Sequence, residues 1–145
     1  MRSFSTHTVI RATPEAVWAI LTRLEDYPRW NTTVTRVEGS AALGQKVTVH
    51  AKLSPGRAFP VRVTALEPPH RMVWTGGAPL RFLFKGERTF ALTPLQDHSV
   101  EFTMEESFDG LLSGLIGKSI PDLQPAFDEF AACLKARAEA ASENQ

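Results

Sequence analysis

Two charged side chains stand on strand faces that are otherwise apolar. In "LRFLFKGERTFALTP" (80–94), Arg88 shares its side of the alternation with Phe82, Phe84, Gly86 and Phe90. In the returning stretch "VEFTMEESF" (100–108), Glu106 shares a side with Phe102 and Met104. A hairpin that sets Phe90 opposite Phe102 puts Arg88 opposite Met104 and makes Glu106 a diagonal neighbour of Arg88. A charge on an apolar face is costly unless paired, so the pattern predicts an Arg88–Glu106 pair on the inner side of a sheet. Such a pair could anchor a ligand carboxylate, carbonyl or hydroxyl. In an enzyme, Arg88 would polarise a carbonyl and Glu106 would move a proton, provided burial raised its pKa. A neighbouring arginine acts the other way, which argues against a general acid at neutral pH. The competing reading is a self-satisfied pair, or two side chains reaching solvent at the sheet's edge.

Other chemistry finds little support. The four histidines are scattered: His7 and His50 fall on outward faces, His70 and His98 in turns. There is no HxH, HExxH or cysteine pair, so neither a metal nor any other cofactor is expected. No GxSxG surrounds a serine. "GSAALGQK" lacks the glycine pattern and the strand–loop–helix setting of a phosphate cradle. Glu105 and Glu106 are adjacent and point to opposite faces, so they are not a carboxylate pair. Cys133, the only cysteine, lies in an alanine-rich helical stretch and reads as a small buried hydrophobe.

The elements that must position these residues can be read from periodicity. Residues 3–10 read as a strand, with Phe4 and Ile10 on one side. "TPEAVWAILTRL" reads as a helix, with Thr13 as N-cap, Pro14 at the first position and Glu15 near the positive end of the dipole. Pro28 then breaks the chain into a second short helix or turn at "EDYPRW". Six strands follow. "QKVTVHAKL" points Val47, Val49, Ala51 and Leu53 one way; "FPVRVTALE" does the same with Phe59, Val61, Val63 and Ala65. "SPGRA", "EPPH" and "LQDHS" read as the breaks. From Asp109 the period becomes helical, with Leu123, Phe127, Phe130 and Leu134 on one face. This predicts a short amphipathic segment near 110–118 and a main helix over 121–140, with Pro125 bending it or forcing a later start. The last residues, 142–145, are expected to fray. A one-sided antiparallel sheet needs a cover, and only the terminal helix is long enough, so the order implies an α+β domain whose curved sheet grips that helix.

Most of the aromatic residues fall on inward faces. Trp18 and Phe130 read as plain core. For Trp74, Phe82, Phe84, Phe102 and Met104 two readings stay open: plain core packing, or lining volume that a sheet gripping one helix leaves unfilled. An apolar pocket with few polar groups is the expected form of a small-molecule site. "GLLSGLIG" reads as a gate at its mouth, because glycine lets the backbone rearrange.

Four stretches carry a family resemblance: "IRATPEAVWAILTRLEDYPRWN", "VTALEPPHRMVW", "FKGERTFALTPL" and "ESFDGLLSGLI…FDEFAACLKARAEA". In this order they resemble the START-related SRPBCC superfamily, and more narrowly its bacterial polyketide cyclase/dehydrase and lipid transport branch. The resemblance implies a helix-grip fold of about seven strands, with two short helices after strand 1. It also implies a deep, mostly apolar cavity between the sheet and the terminal helix. It transfers no catalytic role to Arg88 or Glu106. In the helix-grip order, "EDYPRWN" becomes the second short helix, closing one end of the groove. Trp30 is then expected to plug the cavity end, and Tyr27 to put its hydroxyl at the rim. The residues expected to contact a ligand are Trp30, Trp74, Phe82, Phe84, Arg88, Phe90, Phe102, Met104, Glu106, Leu112, Ile116 and Phe127.

Bulk properties narrow the partners. The chain has 145 residues, enough for one domain spanning 1–145. Basic and acidic residues number 16 each, without the basic excess of a nucleic-acid-binding domain. No apolar run approaches the ~18 residues of a membrane span. The N-terminus lacks a secretory pattern, and with a single cysteine this favours the cytoplasm. An exposed Phe59–Pro60 edge could pair two copies as a homodimer. Three functions fit: a carrier or sensor of a hydrophobic small molecule such as a lipid, isoprenoid or polyketide; a cyclase or dehydratase acting on a poly-ketone; and an interaction module like the relatives that activate a heat-shock ATPase. Those relatives carry paired tryptophans where this chain has only Trp30, so this reading ranks last.

Overall fold

The start of the first helix follows from three residues. Thr13 is extended, and its side-chain oxygen accepts a hydrogen bond from the Ala16 amide at 3.1 Å. Pro14 opens the helix and Glu15 sits in its first turn. In the computed structural model, which describes residues 2–77, 84–111 and 122–143, strand β1 (Arg2–Ile10) runs into this helix, α1 (Pro14–Thr22). A single 3-10 turn at Leu24–Asp26 leads to α2 (Tyr27–Trp30). Strands β2 (Val34–Gly39), β3 (Lys46–Ala51), β4 (Phe59–Glu67), β5 (Arg71–Gly76), β6 (Lys85–Pro94) and β7 (Val100–Asp109) follow. Helix α3 (Gln124–Glu143) closes the fold.

The seven strands form one antiparallel sheet in the order β1-β7-β6-β5-β4-β3-β2. Its inner face meets α1, α2 and α3, which supply Val17, Leu21, Tyr27, Trp30, Phe127, Phe130, Ala131, Leu134 and Ala138 to the core. Residues 127, 130, 131, 134 and 138 recur at the spacing of one helix face, so α3 buries a continuous stripe. Trp18 is partly buried and packs against this core, as does Cys133, whose Sγ lies 3.4 Å from the Thr32 hydroxyl.

The described structure corrects several expectations from the sequence. Helix α3 begins at Gln124 rather than 121, because Pro125 is tolerated only in a first turn; Asp122 accepts the Gln124 amide at 3.0 Å there. It runs through Glu143, and residues 144 and 145 lie outside the described residues. Within the described residues the long strand runs over Lys85–Pro94, and residues 80–83 of the expected strand lie outside them. A bulge in β4 shifts register between Val63 and Ala65, so Leu66, not Ala65, packs against the core opposite Met72. Phe59 and Pro60 are not at a sheet edge. Phe59 pairs with Val49 of β3, and β4 is flanked on its other side by β5. The proposed 110–118 segment and the "GLLSGLIG" gate lie outside the described residues, apart from Gly110 and Leu111.

Helix α3 also caps the free edge of β1. Gln124 Nε2 donates to the Ser5 carbonyl at 2.8 Å and Lys135 Nζ to the Val9 carbonyl at 2.6 Å. Thr6 Oγ1 donates to Asp128 at 2.8 Å, and the Arg11 amide to Glu139 at 2.9 Å. Unpaired edge groups that would otherwise recruit another strand are thereby occupied. The hydrogen bond from Lys135, then that from the Arg11 amide, holds the Glu139 carboxyl below its ordinary 4.5. A depressed folded pKa means that Glu139 stabilises the fold above the unfolded pKa, and that this contribution fades as pH falls through the folded value. Thermal melts of the native protein and Glu139→Gln should therefore differ at neutral pH and converge below about pH 4. A gap that stays constant down the acid limb would contradict this role.

Candidate functional site

The hairpin between β6 and β7 sets the geometry of the charged pair. The Leu95 amide donates to the Ser99 carbonyl at 2.9 Å, closing a loop in which Asp97 and His98 adopt φ of 70° and 58°. That closure pairs Pro94 with Val100, Phe90 with Met104 and Arg88 with Glu106. The expected register was two residues off: Arg88 lies directly opposite Glu106, and Leu92, not Phe90, faces Phe102. The shift of two preserves the faces, so the pair remains on the inner side.

Arg88 is held from three directions. Its Nε donates to Glu106 Oε1 at 2.8 Å. Its guanidinium carbon sits 5.0 Å from the centroid of the Phe127 ring on α3. Trp74 of β5 is its register neighbour on the other side. The two side chains are 23% and 15% exposed, so the pair is largely shielded from water but not sealed off from it. Tyr27 lies close enough to feel this charge. Burial pushes its hydroxyl well above the ordinary range, and Arg88 opposes that only in part. The hydroxyl is not at a rim, as expected from the sequence: it is buried and donates to the Leu21 carbonyl at 2.6 Å. It stays neutral and ties α2 to α1.

The Arg88–Glu106 pair borders a cavity of about 540 Å³. Among the described residues its inner wall is formed by Trp74, Phe84, Gly86, Arg88, Glu106 and Phe108. Its other wall comes from Val49, Ala51, Phe59, Pro60 and Val61, with Leu53, Ser54 and Arg57 from the β3–β4 turn. Leu123, just before α3, closes one side. Phe84 and Phe108 stack with centroids 5.8 Å apart and planes 13° apart, forming a flat apolar panel. Gly77 is on the wall because a side chain cannot be: its φ is 99°, and a Cβ there would collide with the Phe84 carbonyl oxygen.

The cavity divides the expected contact residues. Trp74, Phe84, Arg88 and Glu106 line it. Phe90, Phe102, Met104 and Phe127 do not; each is nearly fully buried in the core beneath α3. Trp30 does not reach it either. Its ring packs 4.9 Å from Tyr27 and 5.4 Å from Phe130, and it borders a separate small cleft with Ile20, Arg23 and Arg137. Phe82, Leu112 and Ile116 lie outside the described residues. Sequence reasoning missed most of the β3 and β4 wall, Val49, Phe59 and Val61 among it, as well as Phe108, Leu123 and Arg57. Phe108 was findable, since it keeps the parity of Phe102 and Glu106. Arg57 is in a turn, where no periodicity marks a direction.

A sheet curled around a terminal helix, with the two short helices after strand 1 and an apolar cavity against the inner face of the sheet, is a helix-grip fold. The profile of the polyketide cyclase/dehydrase and lipid transport family matches residues 1–139, and the chain belongs to that family. No curated protein sequence matches it. Among solved structures, it is similar to hypothetical protein jhp0584 from Helicobacter pylori, with 13% identity, a TM-score of 0.77, and coverage of 94% of this chain and 88% of that one. It is similar to a START superfamily protein from Mycobacterium smegmatis, with 16% identity, a TM-score of 0.70, and coverage of 96% and 98%. It is also similar to the Zhui aromatase/cyclase from Streptomyces sp. R1128, with 12% identity, a TM-score of 0.75, and coverage of 97% and 95%. At these identities the likeness is one of fold. Among the described residues, no helix is long and apolar enough to cross a membrane, and no three His, Cys, Asp or Glu side chains are grouped to hold a metal ion.

Proposed function

We propose that the protein binds and carries a hydrophobic small molecule, of lipid, isoprenoid or polyketide type, in the cavity walled by β3 to β7, which Leu123 borders just before α3 begins and which no residue of α3 lines. The observation that carries this reading is the cavity itself. At about 540 Å³ it falls within the ~300–1,000 Å³ of small-molecule sites, and it has the expected apolar wall with few polar groups. Membership of a family named for lipid transport supports the same reading. Native mass spectrometry of gently purified protein should find a retained apolar molecule. Titration with apolar compounds should quench the fluorescence of Trp74 on the wall. No retained mass, together with no quenching by any apolar compound, would sink the reading.

A second reading is a cyclase or dehydratase. It is favoured by the Arg88–Glu106 pair, which puts a cation and a carboxylate side by side on the cavity wall. Arg88 would polarise a ketone and Glu106 would move a proton, with water leaving as the ring closes. The same mass spectrometry separates the two readings. A carrier returns an added poly-ketone at its original mass, whereas an enzyme returns it lighter by one water, faster than buffer alone.

A further inference from the structure

The charges on the described wall of the cavity do not balance. At the inner end Arg88 is matched by Glu106, and both are mostly shielded. At the other end, Arg57 lines the same cavity from the β3–β4 turn. Its guanidinium carbon lies 5.8 Å from the centroid of the Phe59 ring. Among the described residues, no carboxylate forms an ion pair with it. Arg57 is exposed, and its neighbours Leu53 and Phe59 are 49% and 38% exposed, which marks this as the open end. The described lining thus carries two arginines against one carboxylate, a surplus of one positive charge.

We infer that the ligand is a monoanionic amphiphile: an apolar chain ending in one carboxylate, with the head held by Arg57 and the chain running inward past Phe59 and Val61 to Trp74. This rests on the ligand-binding reading above. The orientation follows from the two ends. An anionic head at the inner end would meet the Glu106 carboxylate, whereas at the open end it meets an uncompensated guanidinium whose fork suits a carboxylate. Phe59, under that guanidinium, also continues the apolar path into the cavity. A carboxylate matches the single surplus charge. A phosphate monoester carries about −1.5 to −2 at neutral pH and would leave negative charge unmet.

The test compares four probes with one chain length, below their micelle concentrations: dodecanoate, dodecanol, methyl dodecanoate and dodecyl phosphate. Affinities are read from tryptophan fluorescence for the native protein and Arg57→Gln. Dodecanoate should bind about three- to tenfold tighter than dodecanol or the ester, the gain of a charge-assisted pair discounted for exposure. Arg57→Gln should bring dodecanoate down to the affinity that the same variant shows for dodecanol, and added salt should weaken dodecanoate but not dodecanol or the ester. Equal binding of acid and alcohol, or an acid preference that survives Arg57→Gln, would overturn the inference and leave the carrier reading intact. Tighter binding of dodecyl phosphate than of dodecanoate would overturn the carboxylate head. Binding of none of the four would overturn the inference by removing the ligand-binding reading beneath it.

Discussion

Phe130→Ala should cost about 3–5 kcal/mol of folding stability and lower Tm by about 10–15 °C. Phe130 is 3% exposed and is the point where α3 meets the rest of the molecule. Its ring stacks on Phe102 of β7 at 6.0 Å and lies edge-on to Trp30 of α2 at 5.4 Å. Phe90 of β6 and Tyr27 of α2 are 6.1 Å and 6.2 Å away. The four neighbours belong to three elements, the paired strands β6 and β7 and the helix α2, each fixed by its own backbone hydrogen bonds. They cannot collapse together into the space a lost ring leaves, and an uncollapsed void adds its own cost to the lost transfer energy. Denaturant unfolding gives the number directly: the midpoint should fall with an unchanged slope. The contrast is Phe59→Ala, on the open cavity wall, where no enclosed void forms and the loss should stay below about 1 kcal/mol. A loss below 1 kcal/mol for Phe130→Ala as well would mean that the aromatic cluster is not the hub drawn here.

That contrast also shows where reading the sequence succeeded and where it stopped. Alternation identified the inner faces of β3 to β7, because a buried face writes its period into the chain. It assigned Phe90, Phe102, Phe84 and Trp74 to one environment, and the structure separates them. The separation depends on where α3 begins. Phe127 and Phe130 fill the groove above Phe90 and Phe102, while the helix starts only at Gln124 and contributes no residue to the cavity wall, which Leu123 borders from just before it. Beyond that point no residue of α3 covers the groove over Trp74, Gly86 and Phe108. Whether an apolar residue is core or wall is thus decided by a residue tens of positions away, and no local pattern records it. Register had the same limit. A period of two names the face of Arg88 but not its partner, which was set by how the Leu95–Ser99 loop closes. The bulge at Thr64 left no local mark either, and it exchanged Ala65 for Leu66 in the core.

Glu106→Leu should cost about 2–3 kcal/mol, more than trimming any apolar residue of the cavity wall. The loss does not come from the ion pair's own strength. A shielded pair repays little beyond the cost of taking two charges out of water. The loss comes from what remains: an Arg88 guanidinium 23% exposed, set over the Phe127 ring, with its carboxylate acceptor gone. The residual exposure keeps the figure below that of a fully buried charge. Removing both charges with Arg88→Met and Glu106→Leu should therefore recover most of the stability, since two apolar side chains of similar volume suit a wall already built from Trp74, Phe84 and Phe108. A double-mutant cycle by denaturant unfolding separates the terms, because the two groups touch and their effects cannot add. If Glu106→Leu alone stayed within about 0.5 kcal/mol of the native protein, Arg88 would have to be finding another acceptor or reaching water. If the double variant were no more stable than the single, the pair would contribute net stability. Recovery in the double variant would instead mean that the charges are dispensable for folding, which turns attention to what they do for an occupant of the cavity.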